Sequence, residues 1–185
     1  MVVYTVRVTL LPNPPLGFEP ETAVWREIEV HGSHTLAEFH EAIFDAFDRW
    51  DAHTYEFLAR NEAGIAVQSY VSPGLYEGGQ SWPPMPEAEI ERFIDHAVPE
   101  DVSETDKARF REVRSNPPPE QNAAETTIAE VDPESRGSLF YEFDMGDGWE
   151  HHIELVGTRE GELDGVPGTV GRQGDAPAQY PERAD

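Results

Sequence analysis

The sequence predicts an α+β fold, a single domain with a mixed or mainly antiparallel sheet and helices packed on it. Three observations carry this. Several segments alternate apolar and polar residues with the period of a strand, and others repeat apolar residues at helical spacing. Near the end of the chain, a strand pattern, an Asp-Gly turn and a second strand pattern follow one another. A length of 185 residues suits one domain with a full core.

Val2 to Leu10 reads as a half-buried strand. Tyr4, Val6, Val8 and Leu10 face one way, and Thr5, Arg7 and Thr9 the other. Pro12, Pro14, Pro15 and Gly17 break it. Ala23 to Val30 is a second strand, with Val24, Arg26, Ile28 and Val30 on one face. The two form a hairpin with an irregular loop. Ser33 precedes a helix from Thr35 to Phe47. Its stripe is Leu36, Phe39, His40, Ile43, Phe44 and Phe47, and Glu38, Glu41, Asp45 and Asp48 lie opposite. Trp50 and Asp51 end it. His53, Tyr55 and Phe57 then alternate with Thr54, Glu56 and Leu58 in a third strand ending near Asn61. Strand, strand, helix, strand is the order of the first part of a β-grasp domain, although other α+β folds share it.

Residues 62–125 read as an acidic, Pro/Gly-rich and helical insertion at the periphery. Ser72 to Pro86, with Trp82, is a loop or lid. Pro86 to Ala97 is a helix with Ile90, Phe93, Ile94 and Ala97 on one face, and Ser103 with Asp106 starts another that reaches Arg114. Asn116 to Glu120, with three prolines in a row, is a linker, and Ile128 and Val131 anchor a short turn or helix. The core is therefore expected in 2–61 and 126–157, with 158–185 a loop-like tail.

Charge sets the cellular expectation. There are 37 acidic against 13 basic residues, a formal net charge of -24, and Lys107 is the sole lysine. Self-repulsion at this charge destabilises a compact state in dilute buffer. At molar salt the Debye length falls to about 3 Å and screens it. The chain is thus expected to be a halophile's cytoplasmic protein. Its surface argues against nucleic acid and anionic membranes, which select clustered Lys and Arg. The absence of cysteine excludes disulfides, thiolate metal sites and thiol nucleophiles. There is no signal-peptide pattern, and no apolar run approaches a membrane span of ~20 residues.

Phe140 to Ile153 carries most of the chemistry. Tyr141 and Phe143 share a face, as do Trp149, His151, Ile153 and Leu155. His40, His53 and His151 all fall on faces otherwise built of large apolar residues. An unpaired buried polar group costs about 1–3 kcal/mol, so all three imidazoles need partners. Asp144 and Asp147, at the turn, are the natural ones. The favoured reading is a hydrogen-bonded network holding the hairpin to the helix. The alternative is a divalent transition metal on His40, His53, His151, Asp144 and Asp147. His151 and His152 point to opposite faces and cannot share one ion. Arg26 is expected to fork onto Asp144 or Asp147 rather than hold a ligand's carboxylate or phosphate. Gly146 is expected to supply a positive φ at the turn. The Asp-x-Gly-Asp-Gly string lacks the remaining positions of a calcium loop, and no glycine-rich nucleotide loop is present.

These residues resemble the plasmid pRiA4b ORF-3-like family. The resemblance runs through Trp25-Arg26, Thr35-Leu36, Phe39-His40, Trp50-Asp51, His53 and Phe57. It ends in Tyr141, Phe143-Asp144, Gly146-Asp147, Trp149 and His151. It is to a haloarchaeal-type, acidic member, and covers about residues 2–61 and 126–157. Met145 stands where the family usually has Phe, and Arg49 where glycine is common. The family implies no reaction. Two functions are carried forward: a non-catalytic module for a protein or peptide partner, with a groove near the Pro/Gly-rich middle, and a metal-dependent, hydrolase-like enzyme using the His/Asp cluster.

Overall fold

The computed structural model describes residues 2–62, 64–79, 83–98, 102–133, 138–163 and 165–181. Strands β1 (Val2–Leu10) and β2 (Val24–His31) form the expected N-terminal hairpin, Val6 opposite Ile28. Helix α1 (Leu36–Ala46) follows. Its start is fixed by a capping box: Thr35 Oγ1 accepts from Glu38 N–H at 3.2 Å, and Glu38 Oε2 accepts from Thr35 N–H at 2.7 Å. Strand β3 (Tyr55–Arg60) comes next, antiparallel to β4 (Ala66–Val71).

The middle of the chain holds α2 (Pro73–Glu77), α3 (Glu87–Ala97) and α4 (Glu104–Ser115). The last two pair through Phe93 stacked on Phe110 at 5.2 Å and through Arg111 Nε donating to Glu91 at 2.7 Å. Strand β5 (Glu120–Asn122) and helix α5 (Ile128–Val131) lead into β6 (Ser138–Phe143), β7 (Trp149–Glu160) and β8 (Gly168–Gln173). The eight strands form one sheet in the order β5-β4-β3-β6-β7-β1-β2-β8, antiparallel throughout except for β4 with β5. The strand-strand-helix-strand order is present, and β3 reaches β1 only through β6 and β7.

One face of the sheet is the core. Val6, Val8, Leu10, Ile28, Phe57, Tyr141, Phe143, Trp149 and Ile153 pack there against Leu36, Phe39 and Ile43 of α1 and Phe47 at its end. The opposite face carries the alternate residues, among them Glu56, Leu58, Arg60, Phe140, Glu142 and Glu150.

Two boundaries differ from the sequence expectation. Segment 62–125 contributes β4 and β5 to the sheet, so only its helices are peripheral. Ala-Val-Gln-Ser-Tyr-Val in β4 lacks a clean alternation, because Val71 and Tyr70 are both buried. The tail is not loop-like either: β7 runs to Glu160 and β8 pairs with β2, Ile28 opposite Thr169. Two glycines in Gly-Thr-Val-Gly-Arg-Gln conceal that strand. Trp82, expected in a loop or lid, lies outside the described residues. No described helix is long and apolar enough to cross a membrane.

Candidate functional site

The β6–β7 turn is built around Asp144, whose φ is 57°. Its Oδ1 accepts from the Gly146 and Asp147 N–H groups at 3.1 and 3.4 Å, and its carbonyl accepts from Gly148 N–H at 2.6 Å. Gly148, with φ 66°, supplies the left-handed turn residue rather than Gly146. Asn13 Nδ2 donates to the Asp147 and Gly148 carbonyls at 2.9 and 3.1 Å, tying the turn to the loop after β1. With Oδ1 occupied by backbone, Asp144 Oδ2 turns to His53 Nε2, 3.6 Å away.

His53 is not buried: its side chain is 38% exposed. Its Nε2 is 2.7 Å from Tyr180 Oη and 3.5 Å from Asp51 Oδ2. Tyr180 O–H donates to Asp51 Oδ2 at 2.7 Å, and this bond to a carboxylate is the main cause that pushes the phenol up to about 12. Gln179 fastens the segment. Its Oε1 accepts from Trp50 and Asp51 N–H at 3.0 and 3.1 Å, and its Nε2 donates to Asp51 O at 2.7 Å. Leu16, His53, Asp144, Asp147, Tyr180 and Pro181 line the open recess that results, about 330 Å³. Gln179 and Tyr180 carried no sequence signal beyond one aromatic residue in a polar tail.

His40 and His151 lie elsewhere. His40 stacks on Tyr55 at 3.7 Å, and its Nδ1 is 2.7 Å from Tyr141 Oη. Burial pushes its pKa down to about 4. His151 Nδ1 is 3.1 and 3.3 Å from the Trp149 and Tyr141 carbonyls. Both are acceptors, so Nδ1 carries the proton, and Nε2 is buried without a hydrogen-bond partner among the described residues. Burial, and then the Arg49 charge, push His151 down to about 3. Tyr141 therefore joins His40 to His151, while Asp144 and Asp147 gather with His53. The five residues expected to converge divide into two groups. Among the described residues no three or more His, Asp or Glu side chains are placed to hold one metal ion.

Arg26 does not fork onto either aspartate. Its Nε donates to Ala46 O at 2.7 Å, and its Nη1 to the Trp25, Gln173 and Gly174 carbonyls at 2.9, 3.1 and 3.1 Å. The open carbonyls at the end of α1 and around β8 satisfy it in place of a carboxylate. Arg49, 6% exposed, lies over the Trp149 ring at 4.6 Å. Burial pushes its pKa down to about 10. Its Nη1 donates to Pro177 O at 3.1 Å, which further secures the tail.

A second recess lies on the other face of the sheet, beneath α4. It measures about 410 Å³, with Leu58, Phe110, Val113, Pro117 and Pro118 as its apolar walls. Glu56 and Ser69 form part of its floor, and Arg60, Arg109, Arg114 and Glu120 its edges. Arg60 pairs with Glu150 and covers Phe140 at 4.0 Å. Glu56 is 5% exposed and is pushed up to about 7, first by burial and then by the neighbouring Glu142. The sequence pattern placed Glu56 on the outward face of its strand and gave it no role.

The motif residues and the sheet that orders them have counterparts in known proteins. The family model for the plasmid pRiA4b ORF-3-like protein matches residues 3–179. The chain belongs to that family. The match spans the middle segment and β8 as well as the two stretches whose motifs carried the resemblance. Among solved structures, this chain is similar to the crystal structure of a protein of unknown function, MM3350, from Methanosarcina mazei Go1. The two share 16% identity and a TM-score of 0.55, over 95% of this chain and 71% of that one. At that identity the likeness concerns the fold alone. No curated protein matches the chain significantly.

Proposed function

We propose that this protein is a non-catalytic binding module that receives a protein or peptide segment in the groove beneath α4. One observation carries the reading: a recess of about 410 Å³ with apolar walls stands on a sheet of eight paired strands. Apolar walls retain a side chain by desolvation, and a fixed sheet holds the groove ready before the partner arrives. The turn site fits binding less well, because its recess is open and the chain's own Tyr180 occupies its polar groups. No arrangement of described side chains favours the metal-dependent alternative. The net charge of -24 with a single lysine supports a cytoplasmic setting at high salt.

The test is a displayed random-peptide library panned on the full chain, with Val113→Asp as counter-selection. Val113 is half-buried in the groove wall, and circular dichroism checks that the variant is folded. Peptides retained by the wild type and lost by Val113→Asp are expected. If retained peptides bind both proteins equally, the groove is not the binding surface.

A further inference from the structure

Three glutamates stand in a row across the sheet beside the groove. Glu56 lies opposite Glu142 across β3 and β6, and Glu142 opposite Glu150 across β6 and β7. Like charges placed directly opposite one another repel. Of the three, Glu150 has a cation, Arg60. Glu56 and Glu142 have no ion-pair partner among the described residues. Glu56 is the sharper case, because it is almost wholly buried while its carboxylate forms part of the groove floor. One oxygen, Oε2, accepts from Ser69 Oγ at 3.0 Å, and among the described residues no hydrogen bond reaches the other.

The fold has no evident need for acids here. Val71, opposite Glu56 on the neighbouring strand, is fully buried, so this stretch of the outer face accepts apolar side chains. A buried carboxylate without a cation is costly, and its counter-charge is ordinarily built in. Of the groove's arginines, Arg60 offsets the two acids only in part. Arg60 is held by Glu150 and Phe140, Arg109 lies 3.8 Å from Asp106, and Arg114 has a partner of its own. Glu56 is thus a buried acid at an apolar groove, with no cation within ion-pair distance among the described residues.

We propose that the groove selects a segment presenting one Lys or Arg side chain flanked by apolar residues, with its cation on the Glu56 and Glu142 carboxylates. The apolar flank lies against Leu58, Phe110, Val113 and the Pro117-Pro118 wall. This rests on the binding-module reading above and names its partner's chemistry. The strongly negative chain draws such a segment in from a distance at low salt, and the buried pair keeps its attraction when salt screens the surface. The groups facing Glu56 are Glu142 from β6, Ser69 from β4, Glu120 from β5, Arg60 from its own strand, and Arg109 and Arg114 from α4. Because burial first, and then the neighbouring Glu142, raise its pKa, Glu56 holds a proton that an arriving cation displaces, so affinity rises with pH.

The experiment begins with the peptides that depend on the groove. They should carry a Lys or Arg. In a fluorescently labelled copy, replacing that residue by norleucine should weaken binding about tenfold at pH 8, read by anisotropy. Glu56→Gln with Glu142→Gln should bind the basic and norleucine copies equally, and Glu142→Gln alone serves where the double variant fails to fold. Wild-type affinity for the basic copy should fall from pH 8 to pH 5.5, and that of the double variant should stay level. Groove-dependent peptides that are uncharged or acidic, or a norleucine copy that binds as well, overturn the cation site and leave the groove standing. If no peptide depends on Val113, the groove falls and the cation site with it.

Discussion

Replacing Glu56 by glutamine should stabilise the protein, and by an amount that depends on pH. The carboxyl has an ordinary value of 4.5 and is pushed up to about 7 in the folded protein. A raised value means that the folded state holds this proton more tightly than the unfolded chain. The stabilisation from protonation is therefore complete below pH 4.5, declines as pH rises towards 7, and is gone above it. A shift of about 2.5 units at 1.36 kcal/mol each gives about 3 kcal/mol, a ceiling because the carboxylate borders an open groove. Glutamine keeps the shape and never ionises. Urea unfolding of both proteins, followed by far-UV circular dichroism at pH 5, 6, 7 and 8 in constant KCl, measures the difference. Glu56→Gln should gain on the wild type as pH rises, approaching about 3 kcal/mol at pH 8. Titrations of groups remote from Glu56 cancel in the comparison. A difference that is the same at all four pH values would show that Glu56 is not a buried, uncompensated acid.

Two further outcomes follow from the packing and the charge. The imidazoles of His40 and His151, pushed down to about 4 and about 3 by burial, should keep neutral-form carbon shifts in NMR from pH 8 to pH 5. Their lowered values make the protein lose stability as pH falls below 6.5, and a histidine titrating near that value at either position would contradict the burial argument. Cooperative loss of circular dichroism should accompany a fall in KCl from molar to millimolar, because the charge of -24 is then unscreened. Full structure at low salt would remove the high-salt reading.

The sequence made some of this readable and hid the rest for identifiable reasons. Helix α1 was legible from its apolar stripe, because a period is a local property, whereas its Thr35–Glu38 capping box went unread. The inward direction of His40 and His151 was legible from the same periods. Their partners were not. Alternation says which face a side chain takes and nothing about position along the strand, so Tyr141 came between them where the aspartates were expected. Arg26 was correctly placed on the core face, and its partners are backbone carbonyls, which no side-chain pattern records. Asp144 spends one oxygen on its own turn, a local demand that competes with any distant histidine. Glu56 was read as outward and hence wetted. It is buried because the middle of the chain returns over that face, a tertiary event with no trace in Tyr-Glu-Phe-Leu-Ala-Arg itself.

The strand order has a consequence for synthesis. One half of the sheet is β8, β2 and β1, the other β3, β4 and β5, and the two meet only across β6 and β7. Those two strands come late, after residue 137. A chain still emerging from the ribosome can close the first hairpin and wind α1, but it has nothing to join its two halves until Trp149 and the residues after it are free of the exit tunnel. Until then α1 can shield the first hairpin, against which it packs through β2, but the two halves have no strand between them. Joining of the two halves thus waits for β6 and β7, and the same pair that carries the turn site acts as the clasp between them.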